Sequence, residues 1–166
     1  MIYTYIEAPN LITLPIGVES IFLAGGITGV EDWQARAVDI LRGFGNITIC
    51  NPRRKVWNPK ADKNEVEGQI RWEYMYLRWV SQVLFWFGEE TLQPIALFEL
   101  GSRVTENCEV MIPKQKLFIG CHPNYQRKFD LEIQLPLMGY KKPIVSDLDL
   151  LLQQVLDYNR QLQLVR

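Results

Sequence analysis

Short apolar runs alternate along this chain with stretches of helical periodicity, and that alternation constrains the fold more than any other feature. Ser20-Ile21-Phe22-Leu23-Ala24-Gly25, Asn46-Ile47-Thr48-Ile49-Cys50-Asn51, residues 82–88, Lys116–Cys121 and Pro143-Ile144-Val145-Ser146 read as five strands. Several are continuously apolar, the pattern of parallel strands buried on both faces. Helices are predicted between and after them: Glu31–Arg42, Glu65–Val80, Pro94 to about Asn107, Lys128–Leu135, and a last one to about Leu164 capped by Asp147 or Asp149. Trp33, Ala37, Ile40 and Leu41 give the first helix a core face; Leu148, Leu151, Leu152, Val155, Leu156 and Leu162 do so for the last. Gly43 and Gly45 end the first helix, and Pro136 stops the fourth.

Strand–helix alternation with right-handed crossovers implies an α/β three-layer sandwich. Its centre is a five-stranded parallel sheet, doubly wound in the Rossmann- or flavodoxin-like manner, with strand order 2-1-3-4-5 counted from Ser20. Met1–Ile6 reads as a short strand, while Pro9 and Pro15 interrupt any regular element after it. Residues 1–19 are thus an N-terminal arm or an extra edge element. There is no linker, repeat or low-complexity tract, so residues 1–166 are expected to form one domain.

That sheet order reverses between its first and third strands. The turn Gly25–Gly29 and the segment Gly88–Gln93 then face each other across the switch-point crevice, where open α/β sheets bind ligands. Directly after it comes Gln93-Pro94-Ile95-Ala96-Leu97-Phe98-Glu99-Leu100-Gly101-Ser102, in which Pro94 suits a first helical turn and Glu99 is the only ionisable side chain. A carboxylate in such surroundings needs a partner or a purpose. The structural reading is a salt bridge to Arg103, four residues on. The functional reading is chemistry at the crevice.

Several chemistries are excluded. Gly25-Gly26-x-x-Gly29 is not the dinucleotide fingerprint, Asn51 rather than an acid ends the second strand, and no Walker lysine motif is present. The glycines either let a ligand approach the backbone or make a tight turn. A carboxylate can attack the anomeric carbon of a sugar and form a glycosyl-enzyme. The leaving group then needs a proton, for which Glu73 and Asp32 are the candidates. The polar, basic loop 53–64 is placed to close over the crevice.

Composition narrows the partners. A net charge of -1 argues against a DNA or RNA polymer as ligand. No apolar run approaches a membrane span and no secretory leader is evident, so a cytoplasmic protein without membrane contact is expected. Cys50, Cys108 and Cys121 are odd in number and unpaired in spacing, which suits reduced thiols. His122 is the only histidine, and no ligand set for a metal is visible.

Five segments, in order over roughly residues 19–120, carry a resemblance: Ser20–Ile27, Asn51-Pro52-Arg53-Arg54, Gln69-Ile70-Arg71-Trp72-Glu73, Leu84-Phe85-Trp86-Phe87 and Pro94–Gly101. Together they resemble the nucleoside 2-deoxyribosyltransferase-like family, and Phe98-Glu99-Leu100-Gly101 is the most specific of them. The resemblance implies a five-stranded parallel sandwich and an enzyme without metal or organic cofactor. It implies that Glu99 is a nucleophile attacking C1′ of a 2′-deoxynucleoside or its monophosphate. The deoxyribosyl group then passes to a second base, or to water in an N-hydrolase.

By the same resemblance Glu73 is the acid that meets the base, and Gly25, Gly26 and Ile27 form the sugar-side wall. Asp32 and Trp33 stand at the entry to the first helix. Arg53 and Arg54 are candidates for a 5′-phosphate, or else a solvated basic loop. Trp57 and Trp72 are candidates to stack on a base, or else core packing. Gln93 stands where family members often carry Asp or Ser, and Ser81-Gln82 where they commonly carry Ala-Asp or Ser-Asp. The expected partners are a small nucleoside or nucleotide and a free nucleobase. The aromatic residues of the second helix suggest a homo-oligomer. A nucleotide-binding module that keeps the fold without the chemistry is the alternative outside enzymology.

Overall fold

The computed structural model describes residues 3–56, 60–108 and 114–165. Five strands form one parallel sheet: β1 (Tyr3–Glu7), β2 (Glu19–Gly25), β3 (Ile47–Asn51), β4 (Gln82–Phe87) and β5 (Lys116–Cys121). The helices among the described residues are α1 (Trp33–Arg42), α2 (Lys63–Trp79), α3 (Pro94–Cys108), α4 (Lys128–Leu137) and α5 (Leu148–Val165).

The strands lie in the order β1-β3-β2-β4-β5. This corrects the expected 2-1-3-4-5 at both edges and keeps its centre, since β3-β2-β4-β5 is the predicted run of the first four strands. At one edge Tyr3–Glu7 adds alongside β3, with Tyr5 opposite Ile49. The N-terminal segment is therefore a strand at the sheet edge, and its Tyr-Thr-Tyr-Ile-Glu alternation suits that half-covered place. At the other edge the predicted strand 143–146 shrinks to one bridge, Gly120 to Val145. Val145 makes both of its bonds there, donating to the Ile119 carbonyl (3.1 Å) and accepting from the Cys121 N–H (2.9 Å). Pro143 has no N–H to extend the ladder on one side. On the other side Asp147 already accepts the Leu150 N–H (2.9 Å) as the cap of α5.

Side-chain alternation along the strands sends residues to two separate cores. Phe22, Ala24, Val83, Phe85 and Phe87 pack with Trp72, Tyr76, Leu77, Leu100 and Val104 of α2 and α3, and with Leu131 and Leu135 of α4. Ile21, Leu23, Leu84 and Trp86 pack on the opposite face with Trp33, Ala37 and Leu41 of α1 and Leu151, Leu152 and Val155 of α5. Each fully buried Leu, Ile or Phe contributes about 1.5–3 kcal/mol. A buried amide pair also ties α5 to β4: Asn159 donates to Gln82 (2.9 Å) and Gln82 donates back (2.8 Å).

Helix boundaries obey local chemistry. Asp32 and Asp62 cap α1 and α2 through the Ala35 and Glu65 N–H groups (3.0 and 2.9 Å). The fourth helix runs past the predicted stop at Pro136 to Leu137. Gly139 ends it in the left-handed region (φ 95°), with the Tyr140 N–H reaching the Leu135 carbonyl and the Gly139 N–H the Pro136 carbonyl. This is the Schellman arrangement, and it satisfies the last carbonyls although a proline sits in the final turn. Among the described residues no helix is long and apolar enough to cross a membrane.

Candidate active site

Because α1 covers one face of the sheet and α2 and α3 the other, the crevice opens beyond the carboxyl ends of β2 and β4. The loop after β2 and the loop after β4 are stitched together across it. The Gly26 N–H donates to Gln93 Oε1 (2.7 Å), and Gln93 Nε2 donates to the Gly88 carbonyl (3.1 Å). Gln93 is buried and adopts φ 49°, a backbone region few residues other than glycine visit. Gly25 is required by close approach: a Cβ there would stand 2.3 Å from the Trp86 carbonyl oxygen and 2.8 Å from the Trp33 ring. At Gly26 a Cβ would stand 2.7 Å from the Gln93 side chain.

A cavity of about 380 Å³ lies here, within the size range of small-molecule sites. Gly25, Gly26, Ile27 and Thr28 line it from the end of β2 and the loop after it, Thr91 to Ala96 from the segment after β4 and the start of α3, and Phe22, Ala24 and Pro52 complete the lining. Glu99 enters from α3 and Glu73 from α2. Of the residues singled out from sequence, the structure thus brings together Gly25, Gly26, Ile27, Glu73, Gln93 and Glu99. Thr28 and Thr91 also line the cavity and were not singled out from sequence, although each lies inside one of the two segments expected to face the crevice.

Glu99 is half-buried, and its carboxylate makes no hydrogen bond or ion pair with any described residue. Arg103, its expected partner, pairs instead with Glu106 and donates to Ser102 (3.2 Å). Burial pushes the Glu99 carboxyl up to about 7; the Glu73 charge adds to this, and Arg103 and Arg78 oppose it from longer range. Glu73 is raised as well, by burial first, against a hydrogen bond from Gln69 and the charge of Arg54. The site is therefore a pair of carboxyl groups in an apolar-walled cavity. Among the described residues, one has no counter-ion in contact and the other is held by an amide.

The remaining candidates stand elsewhere. Asp32 caps α1 and pairs with Arg53 (3.2 Å). Trp33 is buried on the α1 side of the sheet and donates to the Gly26 carbonyl (3.3 Å), bracing the cavity wall from behind. Arg53 is spent on the same loop, bonding Gln34 (3.0 Å) and the Glu31 carbonyl (3.1 Å). Arg54 donates to Gln69 (2.6 Å). Trp72 is 1% exposed, packs on Phe22 and Tyr76 and donates to the Asn10 carbonyl (2.8 Å). Trp57 lies outside the described residues. Among the described residues no three histidine, cysteine or carboxylate groups converge where a metal could sit. Cys50, Cys108 and Cys121 are free thiols.

No curated protein matches the chain. A protein-family model described as nucleoside 2-deoxyribosyltransferase like matches residues 18–125, a span that contains every residue lining the cavity.

Proposed function

The chain belongs to the nucleoside 2-deoxyribosyltransferase-like family, and on that premise we propose that it is an enzyme cleaving the N-glycosidic bond of 2′-deoxynucleosides. Glu99 attacks C1′, the bond from C1′ to the base nitrogen breaks, and the base leaves with a proton from Glu73. The deoxyribosyl-glutamate is then resolved by a second base, whose proton returns to Glu73. Splitting the displacement in two lets each half pass through an oxocarbenium-like state next to a carboxylate. The observation that carries this reading is Glu99 itself, a carboxylate in a cavity, without a counter-ion in contact among the described residues, beside a second acid.

The same cavity favours a neutral nucleoside over its 5′-monophosphate. Among the described residues its lining has two carboxylates and no lysine, arginine or histidine. The two arginines proposed for a phosphate are bonded to neighbouring protein groups. A dianionic phosphate would meet repulsion there rather than the charge-assisted bonds such groups need.

The test is base exchange: wild-type protein incubated with a 2′-deoxynucleoside and a different free base should yield the new nucleoside, and Glu99→Ala should abolish it. Undiminished exchange by that variant ends the assignment. Release of base without exchange would make water the acceptor, and saturable binding without release would favour the non-catalytic module. Self-association is proposed through the outward face of α2, where Ile70 and Tyr74, one turn apart, are more than half exposed. Apolar groups gathered in this way mark contact surfaces. A monomer by light scattering would overturn that part.

A further inference from the structure

Glu73 is not left to find its own orientation. Gln69, one helical turn earlier on α2, donates from Nε2 to Glu73 Oε1 (2.6 Å) and to the Pro52 carbonyl (2.8 Å). Its Oε1 accepts from Arg54 Nε (2.6 Å). A carboxamide has two N–H donors on nitrogen and an acceptor oxygen, so this arrangement uses both donors and the acceptor. Turning the amide over would place its oxygen against two acceptors and its N–H groups against a guanidinium. The orientation is therefore determined by chemistry. Gln69 is also nearly buried, so water cannot readily replace any of the three bonds.

We propose that Gln69 is a positioning residue for the cavity chemistry, relaying the Arg54 cation to Glu73 and fixing one of its carboxylate oxygens so that the other is presented to the leaving base. This inference rests on the proposed glycosyl transfer for its consequence, but the relay is a feature of the folded chain. An N–H donated to a carboxylate favours its ionised form, and a cation behind the amide polarises that bond further. The groups facing Glu73 are Gln69 on its own helix, Arg54 from the loop after β3, and Glu99 across the cavity. Glu99 is faced by Glu73, Arg103 and Arg78. Of the two acids, only Glu73 has an amide donor in contact among the described residues. The Glu73 oxygen that accepts this N–H cannot also carry a proton toward Gln69, so in the protonated acid the proton stands on the other oxygen. The relay thus sets which Glu73 oxygen carries the proton offered to the base.

The experiment tracks the Glu73 side-chain carbon by NMR through a pH titration, in wild type, Gln69→Met and Arg54→Gln. Gln69→Met keeps the length of the side chain and removes the amide. Glu73 should titrate about one pH unit higher in Gln69→Met, with a smaller shift of the same sign in Arg54→Gln, which covers the case where the first variant does not fold. Base release should fall about ten-fold in kcat with KM within two-fold in Gln69→Met, and Arg54→Lys, which keeps the cation, should retain most of the kcat that Arg54→Gln loses. An unmoved Glu73 titration in the folded variants overturns the relay, whether or not the wild type is active. A shifted titration in a wild type that releases no base keeps the relay and rejects the proposed function. A shifted titration with unchanged kcat in an active enzyme overturns the positioning role.

Discussion

Glu99 and Arg103 stand one turn apart on α3 and do not pair. Arg103 is 2% exposed and turns toward Glu106, which Arg78 also approaches (3.6 Å). The spacing that supports a helical ion pair is present, but the guanidinium is engaged by Glu106 and Ser102. Among the described residues, the Glu99 charge is thus opposed only from a distance, and the pH behaviour of the protein should reflect it.

Stability should depend on the ionisation of Glu99. Its folded pKa lies above the ordinary value, so the folded state holds this proton where the unfolded chain has released it. The stabilisation is complete below about pH 4.5 and is lost as pH rises to about 7. Glu99→Gln stays neutral and escapes the loss. At pH 8 the variant should be more stable than wild type by about 1–2 kcal/mol, discounted for partial exposure, and at pH 4 the two should agree. Urea denaturation at both pH values checks this; a less stable variant at pH 8 contradicts it.

Catalysis should run the other way. In the proposed transfer Glu99 must be ionised and Glu73 protonated, so kcat/KM for base release should rise as pH climbs toward about 7 and fall again on the alkaline side as Glu73 loses its proton. Removing the neighbouring charge with Glu73→Gln should move the acid-side inflection to lower pH, even as the rate falls from loss of the proton donor. An inflection that stays in place shows that the two carboxyl groups do not interact.

Gln93 holds the two crevice loops together from a left-handed backbone position. Gln93→Ala and Gln93→Gly should both raise KM several-fold, because the wall carrying Gly26 loses its tether. Glycine adopts φ 49° freely and alanine does not. The glycine variant should therefore be the more stable of the two by about 1 kcal/mol, as read from denaturant midpoints. Equal midpoints would show that the loop relaxes.

Gly25→Ala should lower stability by at least about 2 kcal/mol, since the added methyl meets a backbone carbonyl that cannot step aside within the β2–β4 ladder. A melting temperature within a degree of wild type would mean that the sheet end yields to the methyl.

The layered α/β fold was legible because its signal is local. Continuous apolar runs such as Val83–Phe87 can be covered only on both sides, and helices such as α5 show their buried stripe at a fixed period. The edges were less legible. Met1–Ile6 and 143–146 look alike as short, mixed segments, and only the number of ladder bonds each can make separates a strand from a bridge. The place of the cavity was also readable, since the switch point derives from strand order and Glu99 stands alone among the apolar residues that open its helix.

Residue types and their spacing, acting along the chain, determined the central strands, the helices and the crevice that Glu99 and Glu73 line. The tertiary structure decided the partners. Arg103 turned away from Glu99, Arg53 and Arg54 were drawn into bonds with Gln34 and Gln69, and Trp72 went to the core. Long polar side chains reach several neighbours at similar cost, so which bond forms depends on groups far apart in sequence, and periodicity carries no record of them.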